Sequence, residues 1–302
     1  MRNEVIDIAK GIGILLVILG HGLLSPSLHY AVYSFHMPLF FVLSGYCFSE
    51  RQNWKRDFHS LILPFVLTVI ICSVLYLCAG KFEEVSSRLF SLFLPRGFQS
   101  SFFTIDCSSG PVWFLVALFW CRLIFRRIKE QHYVLFFAFV ISIVSVYCHN
   151  YLFSLPLGFD LGAQAVMIYA IGELIKRKAH TRSKILTLSS LMLIPLWLVC
   201  LPYIRIDMAE CLYQPCYLSV IVSMGGVIGV LIVSEFLKRI NCSKIFTYWG
   251  RNSLYILCAH TVLITVIGAW GIASMKAGIA NLILSLLFPA CLDTVKRLYN
   301  EK

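Results

Sequence analysis

Residues 6–21 read IDIAKGIGILLVILGH, an apolar run with an acid and a lysine near its start and a histidine at its end. Polar side chains at membrane depth are costly, so these three require a structural or functional reason. Lys10 and His21 are 11 residues apart, which brings them within about 20° of each other on a helix of about 3.6 residues per turn. Asp7 falls about 40° to the other side of His21. The sequence therefore predicts one polar stripe along this helix.

Ordinary structural roles could also explain these residues. Asp7 and Lys10 could form a surface pair, Lys10 could extend to the lipid headgroups, and His21 could hydrogen-bond a neighbouring helix. A second histidine, His36, lies in the next apolar segment, two residues before Pro38. A proline inside a helix frees a backbone carbonyl. Two histidines in consecutive apolar segments favour a buried polar site, so Asp7, Lys10, His21 and His36 are the candidate catalytic residues.

The composition indicates an integral membrane protein. Of 302 residues, 59% are hydrophobic and 14% are charged, with a mean hydropathy of +0.81, whereas a soluble domain has about 25% charged residues. Apolar segments lie at about residues 11–25, 30–49, 61–80, 111–126, 133–150, 161–176, 185–203, 216–237, 252–270 and 276–295. These predict an all-α, polytopic protein with about ten transmembrane helices, forming a single domain over residues 1–302. The first segment lacks a small-residue cleavage site, which favours a retained span over a removable signal peptide.

The basic residues between the apolar segments predict the orientation. One set of connections contains 20 of them: Arg2, Arg51, Lys55, Arg56, Arg122, Arg126, Arg127, Lys129, Lys176, Arg177, Lys178, Arg182, Lys184, Lys238, Arg239, Lys244, Arg251, Lys296, Arg297 and Lys302. The alternate set contains 5: Lys81, Arg88, Arg96, Arg205 and Lys276. Cytoplasmic loops collect lysine and arginine, so both termini should be cytoplasmic. The net charge of +11 is thereby explained without a nucleic-acid partner.

The remaining patterns exclude several kinds of site. The 12 cysteines occur mostly as singletons without CxxC spacing, and the eight histidines lack ligand spacing, so we expect no metal and no resident cofactor. Leu43-Ser44-Gly45 lacks the frame of a nucleophile elbow and is better explained by close helix packing.

The longest connection, residues 80–110, lies on the predicted outer side and could be a lid, an acceptor platform or a passive connector.

A neutral imidazole facing a cavity can take a proton from an alcohol while that alcohol attacks a thioester. This chemistry is acyl transfer, and it needs neither metal nor redox cofactor. The cationic residues Lys10, Arg51, Lys55 and Arg56 could hold the phosphates of a nucleotide-bearing donor. Ordinary positive-inside charge is the alternative explanation for most of them.

Several motifs add a family resemblance. Residues 6–21, followed by residues 35–46 (FHMPLFFVLSGY), resemble the opening signature of the membrane acyltransferase family 3. With lysine at position 10, where other members of the family carry arginine, the signature resembles that of the fucose 4-O-acetylase-like branch. Residues 110–115 (GPVWFL) resemble the fourth-helix signature, and residues 250–257 (GRNSLYIL) with His260 resemble a late one. The resemblance implies ten helices, an acetyl-CoA donor, an essential histidine at His21 and a helix-opening cation at Lys10.

One position departs from the family pattern. Many members carry a basic residue just before the proline that opens the third helix, but the residues before Pro64 read HSLIL. Arg56 or His59 could take that role.

The resemblance implies a predicted function, which is O-acetyl transfer from cytoplasmic acetyl-CoA to a hydroxyl of a cell-surface polysaccharide or its lipid-linked precursor. The predicted location is the plasma (inner) membrane, and the partners are acetyl-CoA, the glycan acceptor and the bilayer, without nucleic acid. His21 would act as general base, or would carry the acetyl group transiently. A glycan or lipid transporter is the first alternative, although transporters usually have repeat symmetry. A non-catalytic member of a polysaccharide assembly complex is the second.

Overall fold

The computed structural model describes residues 3–51, 53–99, 104–178, 191–272 and 274–300. The helices are α1 Glu4–Gly20, α2 Pro26–Tyr46, α3 Trp54–Cys78, α4 Phe82–Phe90, α5 Trp113–Ile128, α6 Val134–Tyr151, α7 Phe159–Ala163, α8 Val166–Lys178, α9 Leu193–Cys200, α10 Ser219–Arg239, α11 Lys244–Arg251, α12 Ser253–Ala269 and α13 Met275–Asn300. Two small antiparallel sheets pair β1 (Phe98–Gln99) with β2 (Thr104–Ile105) and β3 (Arg205–Asp207) with β4 (Leu212–Gln214). The predicted all-α class is confirmed.

The number of candidate membrane spans is smaller than the sequence predicts. Within the described ranges, four helices are long and apolar enough to cross a membrane, namely α3, α6, α10 and α13. Two bent pairs, α7 with α8 (50°) and α11 with α12 (75°), could each form one more span. The structure thus supports four to six spans rather than ten. One reason is length, since α1 has 17 residues and α5 has 16 against the roughly 20 needed for a span. Part of the predicted segment 185–203 lies outside the described residues.

Helix α3 changes its winding close to its start. It begins as an α-helix at Trp54–Asp57, continues as a π-helix at Phe58–Ile62 and returns to α at Leu63–Cys78. The Asn53 side chain accepts a hydrogen bond from the Arg56 backbone N–H at 2.9 Å and caps the N-terminus. Asp57, the last residue before the π-helical turn, is buried. Wide turns of this kind frequently occur at functional sites.

Glycine allows α1 and α11 to touch backbone to backbone. A Cβ at Gly11 would lie 2.0 Å from the Phe246 carbonyl oxygen, and one at Gly250 would lie 1.7 Å from the Asp7 carbonyl oxygen. No larger residue fits at either position without moving a helix. This contact fixes α1 against α11 and therefore fixes the position of Lys10, the residue before Gly11.

The connections after α4 and around β3 pack against each other. Between α4 and α5, the Ser109 hydroxyl donates to the Pro95 carbonyl at 3.0 Å, and the Arg96 Nη1 donates to the Ser108 Oγ at 2.9 Å. The Arg96 Nη2 forms an ion pair with Glu210, which lies between β3 and β4. Arg96 therefore ties two segments that are far apart in the sequence.

Candidate active site

A cavity of about 480 Å³ runs along α1. Lys10, Ile14, Val17 and His21 line it at intervals of three or four residues, which is the spacing of one helix face. Lys10 and His21 therefore share a face, as their spacing predicts, and lie about 16 Å apart at about 1.5 Å per residue. The volume is within the range of small-molecule sites. We refer to its two ends as the Lys10 end and the His21 end.

At the His21 end, the imidazole is fixed by its own helix. The His21 Nδ1 lies 2.7 Å from the Val17 carbonyl oxygen. Because a carbonyl can only accept a hydrogen bond, Nδ1 carries the proton, and the neutral ring presents a lone pair on Nε2. His21 is exposed and lines the cavity, so its ring is open to the space that a substrate would occupy. It follows the last residue of α1, where the chain turns and the helix no longer covers it.

His36 lines the same cavity from α2. It is buried, and its Nδ1 lies 2.9 Å from the Val32 carbonyl oxygen, so its neutral ring also presents Nε2. The ring of Tyr33 lies 4.7 Å from the ring of His36 and 6.4 Å from that of His21. Tyr33 therefore connects the two histidines that the sequence predicts to share a site.

Two charged residues that the sequence analysis did not select also line the His21 end. Arg96 comes from the connection before α5, and Asp207 is the last residue of β3. Burial lowers the pKa of the Arg96 guanidinium, while Asp207 and Tyr33 raise it, and an arginine stays charged in either case. No motif surrounds Asp207, so only the packing of β3 could identify it. This end of the cavity offers a cation, a carboxylate and a phenol beside His21.

Behind His21 lies a third histidine, His260 of α12. It is fully buried, and its ring centroid is 5.1 Å from that of His21. Its Nδ1 lies 3.1 Å from the Asn281 Oδ1, which also accepts from the Ser285 hydroxyl at 2.9 Å. The His260 Nε2 is buried, with no hydrogen-bond partner among the described residues. His260 thus connects α13 to the site.

At the Lys10 end, a buried ion-pair cluster forms part of the wall. Arg122 of α5 lines the cavity, and its Nη1 lies 2.7 Å from the Asp57 Oδ1 while its Nη2 donates to the Ser44 Oγ at 2.9 Å. Arg126, one turn further along α5, pairs with the other Asp57 oxygen. The Lys10 Nζ lies 3.9 Å from the Cys47 Sγ. Lys10 and Arg122 are therefore two cations on the wall of one cavity.

The other predicted donor-binding residues do not reach this cavity. Arg51, Lys55 and Arg56 are exposed, and none of them lines it. Arg51 lies in a separate surface hollow, and Lys55 lies over the ring of Trp54. His59, the alternative to Arg56 before Pro64, is exposed as well. Their donor-binding role stays a prediction that this arrangement does not favour.

Arg122 was overlooked because its basic run resembles ordinary positive-inside charge. The available signal was spacing, since Arg122 and Arg126 are four residues apart and so share one face of a helix. Their common partner, Asp57, lies far away in the sequence.

Asp7 faces away from the cavity. It is buried, and its Oδ2 lies 3.3 Å from the Arg251 Nε of α11, whereas Lys10, His21 and His36 line the cavity. The angular offset between Asp7 and His21 turns Asp7 toward α11. Its catalytic role stays a prediction, while its pairing with Arg251 accounts for its burial.

In the described parts of the chain, no three histidine, cysteine or acidic side chains converge as a metal site, and the expectation of no metal and no resident cofactor stays a prediction.

Comparison with known proteins identifies the family. No curated protein and no solved structure matches the chain. A family model described as an acyltransferase domain matches residues 3–292, which is nearly the whole chain. The cavity, with a basic end and a histidine end, lies entirely within that match. The apolar helices and the family together indicate a membrane acyltransferase. The chain belongs to the acyltransferase family 3.

Proposed function

We propose that this acyltransferase moves an acetyl group from acetyl-CoA to a hydroxyl of a cell-surface polysaccharide or its lipid-linked precursor. The protein would lie in the plasma (inner) membrane with both termini cytoplasmic, and would resemble the fucose 4-O-acetylase-like branch. Acetyl-CoA and the glycan are its proposed partners, and no nucleic acid takes part. Because acetyl-CoA is a co-substrate, the reaction needs no resident cofactor.

One observation carries the proposal: a single cavity contains Lys10 and His21 on one helix face, near its opposite ends. A donor with a charged head and a long uncharged arm suits this layout. Its phosphates would interact with the cations at the Lys10 end, and its thioester would extend along Ile14 and Val17 toward His21. The acceptor would approach His21 from the end that contains Arg96 and Asp207. Both carboxylates and guanidinium groups hydrogen-bond to hydroxyl groups.

In the direct mechanism, the His21 Nε2 takes the proton from the acceptor hydroxyl as that oxygen attacks the thioester carbonyl. The C–O bond forms, the C–S bond breaks, and the proton passes to the leaving thiolate to give free CoA. The hydrogen bond from Nδ1 to the Val17 carbonyl stabilises the required tautomer and the orientation of the ring.

In the covalent alternative, the His21 Nε2 itself attacks the thioester. The N–C bond forms as the C–S bond breaks, which gives an acetyl-imidazolium and the CoA thiolate. The acceptor oxygen then takes the acetyl group, the N–C bond breaks and returns the lone pair to Nε2, and the hydroxyl proton passes to the thiolate to give free CoA. The exposure of His21 beyond the end of α1 is compatible with this second step. Trapping labelled acetyl on the protein without acceptor would distinguish it from the direct mechanism.

The test is acetyl transfer by purified His21→Ala protein supplied with labelled acetyl-CoA. Loss of a general base typically costs about 10²- to 10⁴-fold in rate, so this variant should lose at least about 100-fold. The matched control is His132→Ala, since His132 is an exposed histidine between α5 and α6 and should leave the rate unchanged. Full activity of His21→Ala would remove His21 from both mechanisms, and absence of acetyl-CoA consumption by the parent would contradict the proposed donor.

A further inference from the structure

We infer that Arg122 and Lys10 bind a phosphate group of the acyl donor at the Lys10 end of the cavity, with Asp57 and Arg126 holding Arg122 in position. This inference rests on the proposed acetyl-CoA donor. It moves the donor-phosphate site away from the exposed residues Arg51, Lys55 and Arg56.

The buried cluster has more positive than negative charge. Arg122 and Arg126 share one carboxylate, that of Asp57, whose side chain is only 2% exposed. Lys10 adds another cation to the same end of the cavity, and among the described residues its polar contact is the long one to the Cys47 sulfur at 3.9 Å. Charges that are largely removed from water need an opposite charge nearby. A site with three cations and one anion therefore favours an anionic ligand.

Hydrogen-bond donors are also left over. Among the described residues, the Nε of Arg122 and the Nε and Nη1 of Arg126 are buried without any hydrogen-bond partner. A buried donor without an acceptor costs free energy. Both Asp57 oxygens and the Ser44 hydroxyl are already engaged by the two arginines. Arg126 does not line the cavity, so only the Arg122 guanidinium can meet a ligand there. Its Nη1 and Nη2 each carry a second N–H, which can donate to ligand oxygens while Arg122 stays bound to Asp57 and Ser44.

Phosphate chemistry fits this donor set best. A guanidinium presents a planar fork that matches phosphate oxygens, while a lysine ammonium acts as a point charge on the same group. Arg122 and Lys10 lie on the walls contributed by α5 and α1, so a group between them would contact both. Beyond them the wall is apolar, with Ile14, Leu61 and Leu118. A phosphate attached to an uncharged arm would place its charge on the two cations and its arm on the apolar wall.

The test compares two ligands on purified full-length protein. Acetyl-CoA carries the phosphates, whereas S-acetylpantetheine carries the same thioester arm without them. The parent should bind acetyl-CoA more tightly than S-acetylpantetheine. Arg122→Gln should weaken acetyl-CoA binding by about 10- to 100-fold, because a hydrogen bond to a charged group contributes about 1.5 to 3 kcal/mol. Its affinity for S-acetylpantetheine should not change, which also demonstrates that the variant is folded.

The matched control is Arg127→Gln, which removes an exposed arginine from the same helix and should change neither affinity. Arg122→Lys, which keeps the charge opposite Asp57, should lose less acetyl-CoA affinity than Arg122→Gln. The inference is overturned if Arg122→Gln weakens both ligands equally or neither, or if the lysine variant loses as much as the glutamine variant. A parent that binds neither ligand would instead contradict the proposed function.

A lipid headgroup carries the same phosphate chemistry. The affinities are therefore also measured in nanodiscs of phosphatidylcholine, with and without phosphatidylglycerol. Acetyl-CoA affinity that is unaffected by phosphatidylglycerol supports the donor phosphate as the ligand. If phosphatidylglycerol lowers the affinity of the parent to that of Arg122→Gln, the site belongs to the lipid and the inference is wrong.

Discussion

Replacement of Asp57 by leucine should destabilise the protein strongly. The Asp57 side chain is 2% exposed and accepts hydrogen bonds from Arg122 and Arg126, whose side chains are only 16% and 17% exposed. Without it, two guanidinium groups would lie in a largely dry environment with no counter-charge. Removal of one partner from a buried ion pair typically costs about 3 to 5 kcal/mol. We therefore expect a loss of about that size in the free energy of unfolding.

The measurement is equilibrium unfolding by SDS in mixed micelles, followed by circular dichroism. The matched control is Glu50→Gln, because Glu50 also pairs with a basic residue of this region, Lys129, but is 81% exposed. Exposed ion pairs contribute little, so the control should be close to the parent. Equal unfolding midpoints for Asp57→Leu and the parent would refute the argument.

A combined variant separates stability from ligand binding. Replacing the whole cluster, with Asp57→Leu, Arg122→Met and Arg126→Met, removes the charges together, and apolar replacement of a buried cluster is often neutral. The triple variant should therefore be more stable than Asp57→Leu alone. It should nevertheless lose the preference for acetyl-CoA over S-acetylpantetheine. A triple variant as unstable as the single one would mean that the charges were not the cause.

Lys10→Arg should retain much of the acetyl-CoA affinity and Lys10→Met little, because the cation and its reach matter there; equal binding by both would locate the donor contact elsewhere. Gly250→Ala should destabilise the protein by about 1 to 3 kcal/mol, because the added Cβ pushes α1 and α11 apart. Gly229→Ala is the control, because no atom lies within 4 Å of its added Cβ, and it should leave the stability unchanged. Unfolding in SDS compares the two variants. In single-cysteine proteins, Cys216 should react with an impermeant maleimide from outside and Cys242 only after permeabilisation, because both are exposed on predicted opposite sides. The reverse pattern would invert the topology.

The α1 face could be predicted because helical spacing alone determines it. Lys10 and His21 share a cavity as their 11-residue separation requires, and the second histidine does come from the next helix. The exposure of His21 could not be predicted, because it depends on where α1 ends. That end follows from the turn at residues 21–23 and not from hydrophobicity, which continues beyond it.

The cluster of Asp57 with Arg122 and Arg126, and the ion pair of Arg96 with Glu210, could not be predicted from local sequence. Asp57 and Arg122 are 65 positions apart, and their contact depends on the packing of α3 against α5. Arg96 and Glu210 are 114 positions apart, and no local pattern links them. Composition also could not separate full spans from shorter buried helices, since both consist of apolar residues. The number of spans predicted from the sequence is therefore higher than the four to six that the structure supports.

The apolar middle of the cavity has an electrical consequence. Ile14, Val17, Phe40 and Leu118 line the wall, while the charged side chains gather at the ends. A water-filled passage between two such ends would let protons and ions leak across a bilayer and dissipate its potential. Narrow apolar constrictions expel water and so block conduction. The same side chains that accommodate an uncharged arm would therefore disfavour water and ions inside the empty cavity.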